Sequence, residues 1–258
     1  MILSRRVALN GEYLDELHDW IVIRSIEENM PSESTGTINL MGGIGQRVTD
    51  HHWESMEVTV TFGIMINNRD MQARQALLDA VKIWALQKGW LTVNYRENRR
   101  LYVDSVSFES FNHWNWTEDF TITFTARSVP FWQMETPESV IVNSSSNTSR
   151  TLTVPGMATT VLDVEFVNIS GMGIDTVQVS VPGRYIRCTG IGLGPGQTFA
   201  ISHGADGILR ITSGGRSVLA NRAEGSHDDL YIAPGARTVS LSATRAGRIT
   251  FSATGRFY

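Results

Sequence analysis

One stretch of this sequence has the period of a long α-helix, and the runs on either side of it alternate like β-strands. The helical stretch covers residues 68–88, and its apolar side chains recur at i, i+4, i+7, i+8 and i+11. They are Ala73, Leu77, Ala80, Val81 and Trp84. A lone amphipathic helix among strands must cover a sheet, so this pattern predicts a helix core of Leu77, Val81 and Trp84.

The ends of this helix also carry recognisable signals. Asn67 or Asn68 is placed to cap the first turn, and Gly89 is placed to end the last one. Asp70 lies near the positive end of the helix dipole and Lys88 near the negative end. These signals predict a helix that begins at the asparagine pair and ends before Gly89.

Composition divides the chain into two halves. All seven tryptophans lie in the first 132 residues, whereas 16 of the 23 glycines lie after residue 133. Between the halves stands the polar run NSSSNTS, residues 143–149, which offers nothing to a core. We therefore expect an N-terminal domain over residues 1–135, a linker over 136–150 and a C-terminal domain over 151–258.

The two halves predict different folds. The first half is β-rich on both sides of its one helix and lacks repeated βα alternation, which indicates an α+β domain with a mainly antiparallel sheet. The second half has short runs of β-formers separated by Gly and Pro at intervals of roughly 8–12 residues. That spacing is typical of an all-β antiparallel sandwich or jelly roll.

A long irregular segment, residues 31–53, lies before the helix and contains apolar residues that a solvated loop would not need. We expect these residues to dock on another chain. Two tryptophans after the helix share one strand face and suit either a core or a subunit interface, and both readings remain open. The candidate interface residues are Ile38, Leu40, Met41, Ile44, Trp53, Trp114 and Trp116.

Residue patterns for catalysis or metal binding are missing from the sequence. The histidines lack H-x-x-x-H spacing, no G-x-S-x-G elbow occurs, and Cys188 has no nucleophile signature around it. His227–Asp228–Asp229 is interpreted as a turn before a strand. We expect no catalytic residue, no metal site and no cofactor.

Charge and hydropathy exclude further classes. A net charge of −4 gives no reason to expect nucleic-acid binding. No window approaches the ~20 apolar residues needed to span a bilayer, and the first residues lack the apolar core of a signal peptide. With a single cysteine as well, the chain is expected to be synthesised and folded in a reducing cytoplasm, without membrane insertion.

The order of these elements resembles that of siphophage distal tail proteins, the Dit family. In the first half the resemblance rests on the Asn10–Gly11 turn, the glycines before strand 58–66, the helix 68–88, the strands 91–95 and 101–108, and the closing segment 120–131. In the second half it rests on DLYIAPGARTVSLSA and ITFSATGRFY, which resemble the galectin-like sandwich of that family. The resemblance covers nearly the whole chain.

This resemblance implies a structural virion protein of a phage or prophage. Its N-terminal domains are expected to form a homohexameric ring at the tail tip, or baseplate. The ring would connect the tail tube protein to the tail-associated protein and to receptor-binding or other baseplate proteins. Assembly would take place in the cytoplasm of the bacterial host.

Two other functions stay open. One is a carbohydrate-binding tail accessory protein that recognises host cell-wall sugars through its C-terminal sandwich. That half has no tryptophan to stack on a sugar, and only Tyr185, Tyr231 and Tyr258 offer a substitute ring. The other is a hydrolase, because a pair of catalytic carboxylates needs no sequence signature.

Overall fold

The structure is a computed structural model that describes residues 5–39, 46–65, 70–109 and 119–258. The chain divides into two compact units. The first consists of residues 1–132 together with Tyr258, and the second of Gln133–Phe257. Both are built mainly from antiparallel strands.

The described part of the first unit has ten strands wholly within it and one α-helix. The strands are β1 (Val7–Leu9), β2 (Glu12–Tyr13), β3 (Ile21–Asn29), β4 (Glu33–Asn39), β5 (Gln46–Trp53), β6 (Met56–Ile64), β7 (Gly89–Val93), β8 (Arg99–Val103), β9 (Ser105–Phe108) and β10 (Phe120–Ala126), and the helix α1 is Met71–Leu86. Strands β2, β1, β7 and β8 lie side by side in that order, and so do β3, β6, β10 and β9. Strands β4 and β5 form a separate hairpin. The mainly antiparallel β-structure with one long helix is confirmed.

The start of α1 differs from the prediction. Its N-cap is Asp70, whose carboxylate accepts hydrogen bonds from the backbone N–H groups of Gln72 at 2.9 Å and Ala73 at 3.1 Å. Asn67 and Asn68 lie outside the described residues. A carboxylate caps a helix as well as an asparagine amide does. Asp70 is therefore the N-cap of α1 and not a residue of its first turn.

The helix packs on both sheets of the first unit. Trp84 is fully buried and makes an edge-on ring contact with Phe124 of β10, with 5.9 Å between the ring centroids. Leu77 and Val81 are buried as well. Ala80, expected in the same stripe, is exposed, because the buried face is rotated towards Leu78 and Ala85.

Strand β11 (Trp132–Met134) begins in the first unit, to which Trp132 belongs, and continues into the second, which starts at Gln133. The remaining strands belong to the second unit. These are β12 (Glu138–Val154), β13 (Thr160–Asn168), β14 (Ile174–Val181), β15 (Arg184–Leu193), β16 (Thr198–His203), β17 (Leu209–Ser213), β18 (Arg216–Ser217), β19 (Tyr231–Ile232), β20 (Gly235–Ala253) and β21 (Arg256–Phe257). The only helical turn in this continuously described part is the 3-10 turn Leu219–Asn221. The all-β character expected for this half is confirmed.

A long bent strand, β20, organises the second unit. Its residues 240–243 pair with β14, and its residues 247–253 pair with β13, so one curled sheet encloses a single core. The bend requires a glycine, because a Cβ at Gly247 would lie 2.4 Å from ring atoms of Phe166. Phe166, Phe199 and Phe251 fill the core between the two halves of the sheet.

The polar run 143–149 is not a linker. It lies inside β12, which pairs with β20 from Glu138 to Val154, with register shifts between Val142 and Asn147. Serines and asparagines suit a bulged, largely exposed strand because their side chains face water. The expected linker over 136–150 is therefore wrong, since polarity shows exposure and does not by itself show a break in the fold.

Candidate functional site

The hairpin of β4 and β5 stands apart from the two larger sheets of the first unit. Glu33 pairs with Trp53 at its base, and Asn39 pairs with Gln46 at its far end. Within the described ranges, neither strand pairs with a third strand. A two-stranded hairpin is only marginally stable in water, and an unpaired strand edge is a template for pairing with another chain. Its geometry suits contact with another chain.

An aromatic cluster lies at the base of this hairpin. The Trp53 ring centroid lies 5.3 Å from that of Phe131 and 5.4 Å from that of Tyr258, and the last two are 5.8 Å apart. Trp53 remains 37% exposed, whereas Phe131 is buried. The cluster anchors the hairpin base and leaves part of one indole ring at the surface.

A partly buried carboxylate lies among further aromatic residues of the same unit. Glu28 receives hydrogen bonds from the Tyr95 hydroxyl at 2.6 Å and the Trp132 indole N–H at 2.9 Å, and it forms an ion pair with Arg96 at 2.6 Å. Burial, and then the hydrogen bond to Glu28, raise the pKa of Tyr95 well above its usual value. Arg96 also donates to the main-chain oxygen of Tyr258 at 3.0 Å. Every strong acceptor site here is engaged, so the group fixes the fold and offers no free acid or base.

The structure places only some of the predicted interface residues. Ile38 lies in β4, and Trp53 ends β5 with its ring partly exposed. The other predicted interface residues lie outside the described residues: Leu40, Met41, Ile44, Trp114 and Trp116. Their assignment to a subunit interface stays a prediction.

A charged cluster in the second unit went unnoticed at the level of sequence. The imidazole of His203 lies between two carboxylates, 2.7 Å from Asp163 through Nδ1 and 2.9 Å from Asp229 through Nε2. Its side chain is only 5% exposed. Burial by itself lowers its pKa, but the hydrogen bonds to Asp163 and Asp229 outweigh burial and raise the pKa to about 9. The imidazole is therefore protonated at neutral pH.

The sequence carries no local signal for this cluster. Asp163 and Asp229 are 40 and 26 residues from His203, and none of the three lies in a recognised spacing. Asp229, which the sequence predicts to lie in a turn before a strand, is buried, and it also accepts a hydrogen bond from the Leu230 N–H at 2.7 Å.

This arrangement does not resemble a working acid–base site. A general base needs a free ring nitrogen within reach of a substrate, and both nitrogens of His203 are hydrogen-bonded inside the fold. The thiol of Cys188 is buried, and burial raises its pKa to about 11, so it is a poor nucleophile. Both groups are best understood as structural.

In the part of the chain that the structure describes, no group of three or more His, Cys, Asp or Glu side chains is arranged to hold a metal ion. None of its helices is both long enough and apolar enough to cross a lipid bilayer.

Comparison with known proteins gives a likeness of fold alone. No protein-family model matches the sequence, and no curated protein matches it. Among solved structures, the chain is similar to the SPP1 Dit (gp 19.1) protein, described as a paradigm of the hub adsorption apparatus in phages that infect Gram-positive bacteria. The two are 14% identical, superpose with a TM-score of 0.68, and cover 98% of this chain and 99% of SPP1 Dit.

Two further matches are chains of the phage P2 baseplate in its activated conformation. The calcium form is 10% identical with a TM-score of 0.47, covering 98% of each chain. The strontium form is 10% identical with a TM-score of 0.44, covering 96% of this chain and 97% of that one. The Dit-like fold that the sequence resembles is thus matched by a solved Dit structure over nearly its full length.

Proposed function

We propose that this protein is a structural hub of a phage tail tip, forming a hexameric ring that connects the tail tube to the baseplate. The observation that carries this proposal is the whole-chain likeness to SPP1 Dit, with a TM-score of 0.68 over 98% of this chain. A match over both units is a stronger argument than a match over one sandwich, because sandwiches alone recur in many unrelated proteins.

The hairpin β4–β5 supports the ring. A closed cyclic assembly needs two different surfaces on each subunit, and each surface meets its complement on the next copy. The hairpin, which contains Ile38 and ends at Trp53, pairs with no third strand within the described ranges, and a neighbouring copy would pair along its outer edge. In this assembly the partners are further copies of the chain, the tail tube protein, the tail-associated protein and receptor-binding or other baseplate proteins. The location is the virion tail tip.

The ring can be tested on the purified protein. Light scattering coupled to size exclusion should give six times the chain mass of 28.7 kDa, and negative-stain images should show six-fold rings. The tail tube protein and the tail-associated protein should each bind the ring. A chain that stays monomeric, alone and with both partners, contradicts the proposal.

The hairpin surface needs a separate variant. Ile38→Asp places a charge in the hairpin and should shift the protein from ring to monomer, and its unfolding temperature verifies that the variant is folded. Ile141→Asp is the matched control, because Ile141 is 61% exposed in β12 of the second unit. If Ile38→Asp forms the ring as well as Ile141→Asp does, the hairpin is not part of the subunit interface. That result would not contradict the proposal that the protein is a hub.

A further inference from the structure

A small cavity lies at one end of the curled sheet in the second unit. It has a volume of about 240 Å³ and is lined by Thr159, Pro182, Tyr231, Ile232, Ala233 and Arg237. These residues come from the segment before β13, the β14–β15 turn, β19 and the start of β20. None of the lining residues is acidic.

One aromatic ring, that of Tyr231, and one arginine, Arg237, line the cavity, and a second arginine, Arg184, lies beside the Tyr231 ring. Tyr231 is 46% exposed, and the Arg184 guanidinium lies 5.0 Å from the centroid of its ring. The Arg184 side chain makes no hydrogen bond to another described residue. Arg237 uses Nε and Nη2 to donate to the carbonyls of Ala233 and Pro234, and these bonds leave its Nη1 donors unused. Two guanidinium groups therefore have donors to offer a ligand.

The backbone that carries Tyr231 is held in place on both sides of the residue. Strand β19 pairs with β13 through Thr160–Ile232 and Val161–Tyr231, and Asp229, two residues before Tyr231, is fixed by His203. An aromatic side chain on a rigid segment loses little conformational entropy when a ligand binds. The charged cluster of His203 thus helps to pre-form the cavity.

We propose that this cavity binds an anionic saccharide. The face of the sugar ring would stack on Tyr231, and its carboxylate or phosphate would accept charge-assisted hydrogen bonds from Arg184 and Arg237. An acidic peptide fits less well, because β19 has only two residues and is too short for an extended chain to pair along it. This site is independent of the ring.

Saturation-transfer NMR on the full chain tests the site. The probes are glucuronic acid for the carboxylate, glucose 6-phosphate for the phosphate, glucose as the neutral sugar and hexaglutamate as the acidic peptide. Either or both of the anionic sugars should receive saturation at their ring protons and bind about tenfold more tightly than glucose. The anionic sugar that binds more tightly identifies the group recognised. No binding of either one, equal binding of glucose, or binding of hexaglutamate alone overturns the proposal.

Matched variants assign the binding to the cavity. Tyr231→Ala should abolish the saturation signal, and Arg184→Gln should weaken binding about tenfold. Arg187→Gln is the control, since Arg187 is exposed and lines a separate cavity of about 340 Å³ with Gln178 and Ser242. The unfolding temperatures of all three variants verify that each is folded. Loss of binding in Arg187→Gln with retention in folded Tyr231→Ala contradicts the assignment.

Discussion

The indole N–H of Trp84 donates a hydrogen bond to the main-chain oxygen of Glu12 over 3.0 Å. This bond joins α1 to β2, while the same indole ring packs against Phe124 in the other sheet. One side chain thus connects the helix to both sheets of the first unit. Its burial is complete, so both contacts are lost together when it is shortened.

Replacing Trp84 with Ala should lower the free energy of unfolding of the first unit by about 3–5 kcal/mol. Tryptophan fluorescence during denaturation reports on this unit, because all seven tryptophans lie in the first 132 residues. Ile83→Ala is the control, since Ile83 is 68% exposed and should change stability by less than about 0.5 kcal/mol. Equal effects of the two substitutions would mean that α1 does not pack as described.

Replacing Asp70 with Ala should destabilise the first unit by about 1 kcal/mol, because two backbone N–H groups at the start of α1 lose their acceptor. Asp70→Asn keeps a capping oxygen and should retain most of the stability. Chemical denaturation followed by tryptophan fluorescence measures both. If Asp70→Ala is as stable as the natural protein, the helix begins elsewhere.

The second unit should lose stability at high pH. The pKa of His203 is raised to about 9 from 6.5 in the unfolded chain, so its contribution is fully present below pH 6.5 and is lost as pH rises through 9. The loss is on the order of 3 kcal/mol. Calorimetry between pH 6 and pH 10 should show the unfolding temperature falling.

His203→Gln separates this effect from other titrations. The variant should be less stable at pH 7, because Asp163 and Asp229 lose their cationic partner. Its unfolding temperature should depend much less on pH between 7 and 10. A variant whose profile runs parallel to that of the natural protein would show that His203 is not the titrating group.

Cys188 should be inert in the folded protein. It is fully buried, and burial raises its pKa to about 11, so little thiolate forms at pH 8. A disulfide reagent should label no thiol in the native chain and one thiol after denaturation. Met157→Cys supplies the positive control, because Met157 is 66% exposed and its replacement should react at once. Rapid native labelling of Cys188 would place it at the surface.

The helix was accessible from sequence because its signals are local. Leu77, Val81 and Trp84 recur at a helical period, and all three are buried in the structure. The same pattern misplaced Ala80, since it shows which residues are apolar but not how far the helix rotates on its sheets. The rotation depends on packing against Phe120 and Phe124, which are distant in sequence.

The second unit shows the opposite case. Short strands and turn residues predicted its all-β character correctly, but the polar run 143–149 was interpreted as a linker. Its pairing with β20 joins residues about 100 positions apart, as between Arg150 and Val239, and no local pattern contains that information.

What the sequence by itself determined is therefore the type of each element and the absence of familiar catalytic motifs, because both depend on neighbouring residues. Only the tertiary structure brought Asp163 and Asp229 to His203, and Arg184 to Tyr231, because those contacts join strands and turns far apart in the chain. Charge pairs and cavities form where separate elements meet. Their positions follow from the packing of the whole fold, which local periodicity does not record.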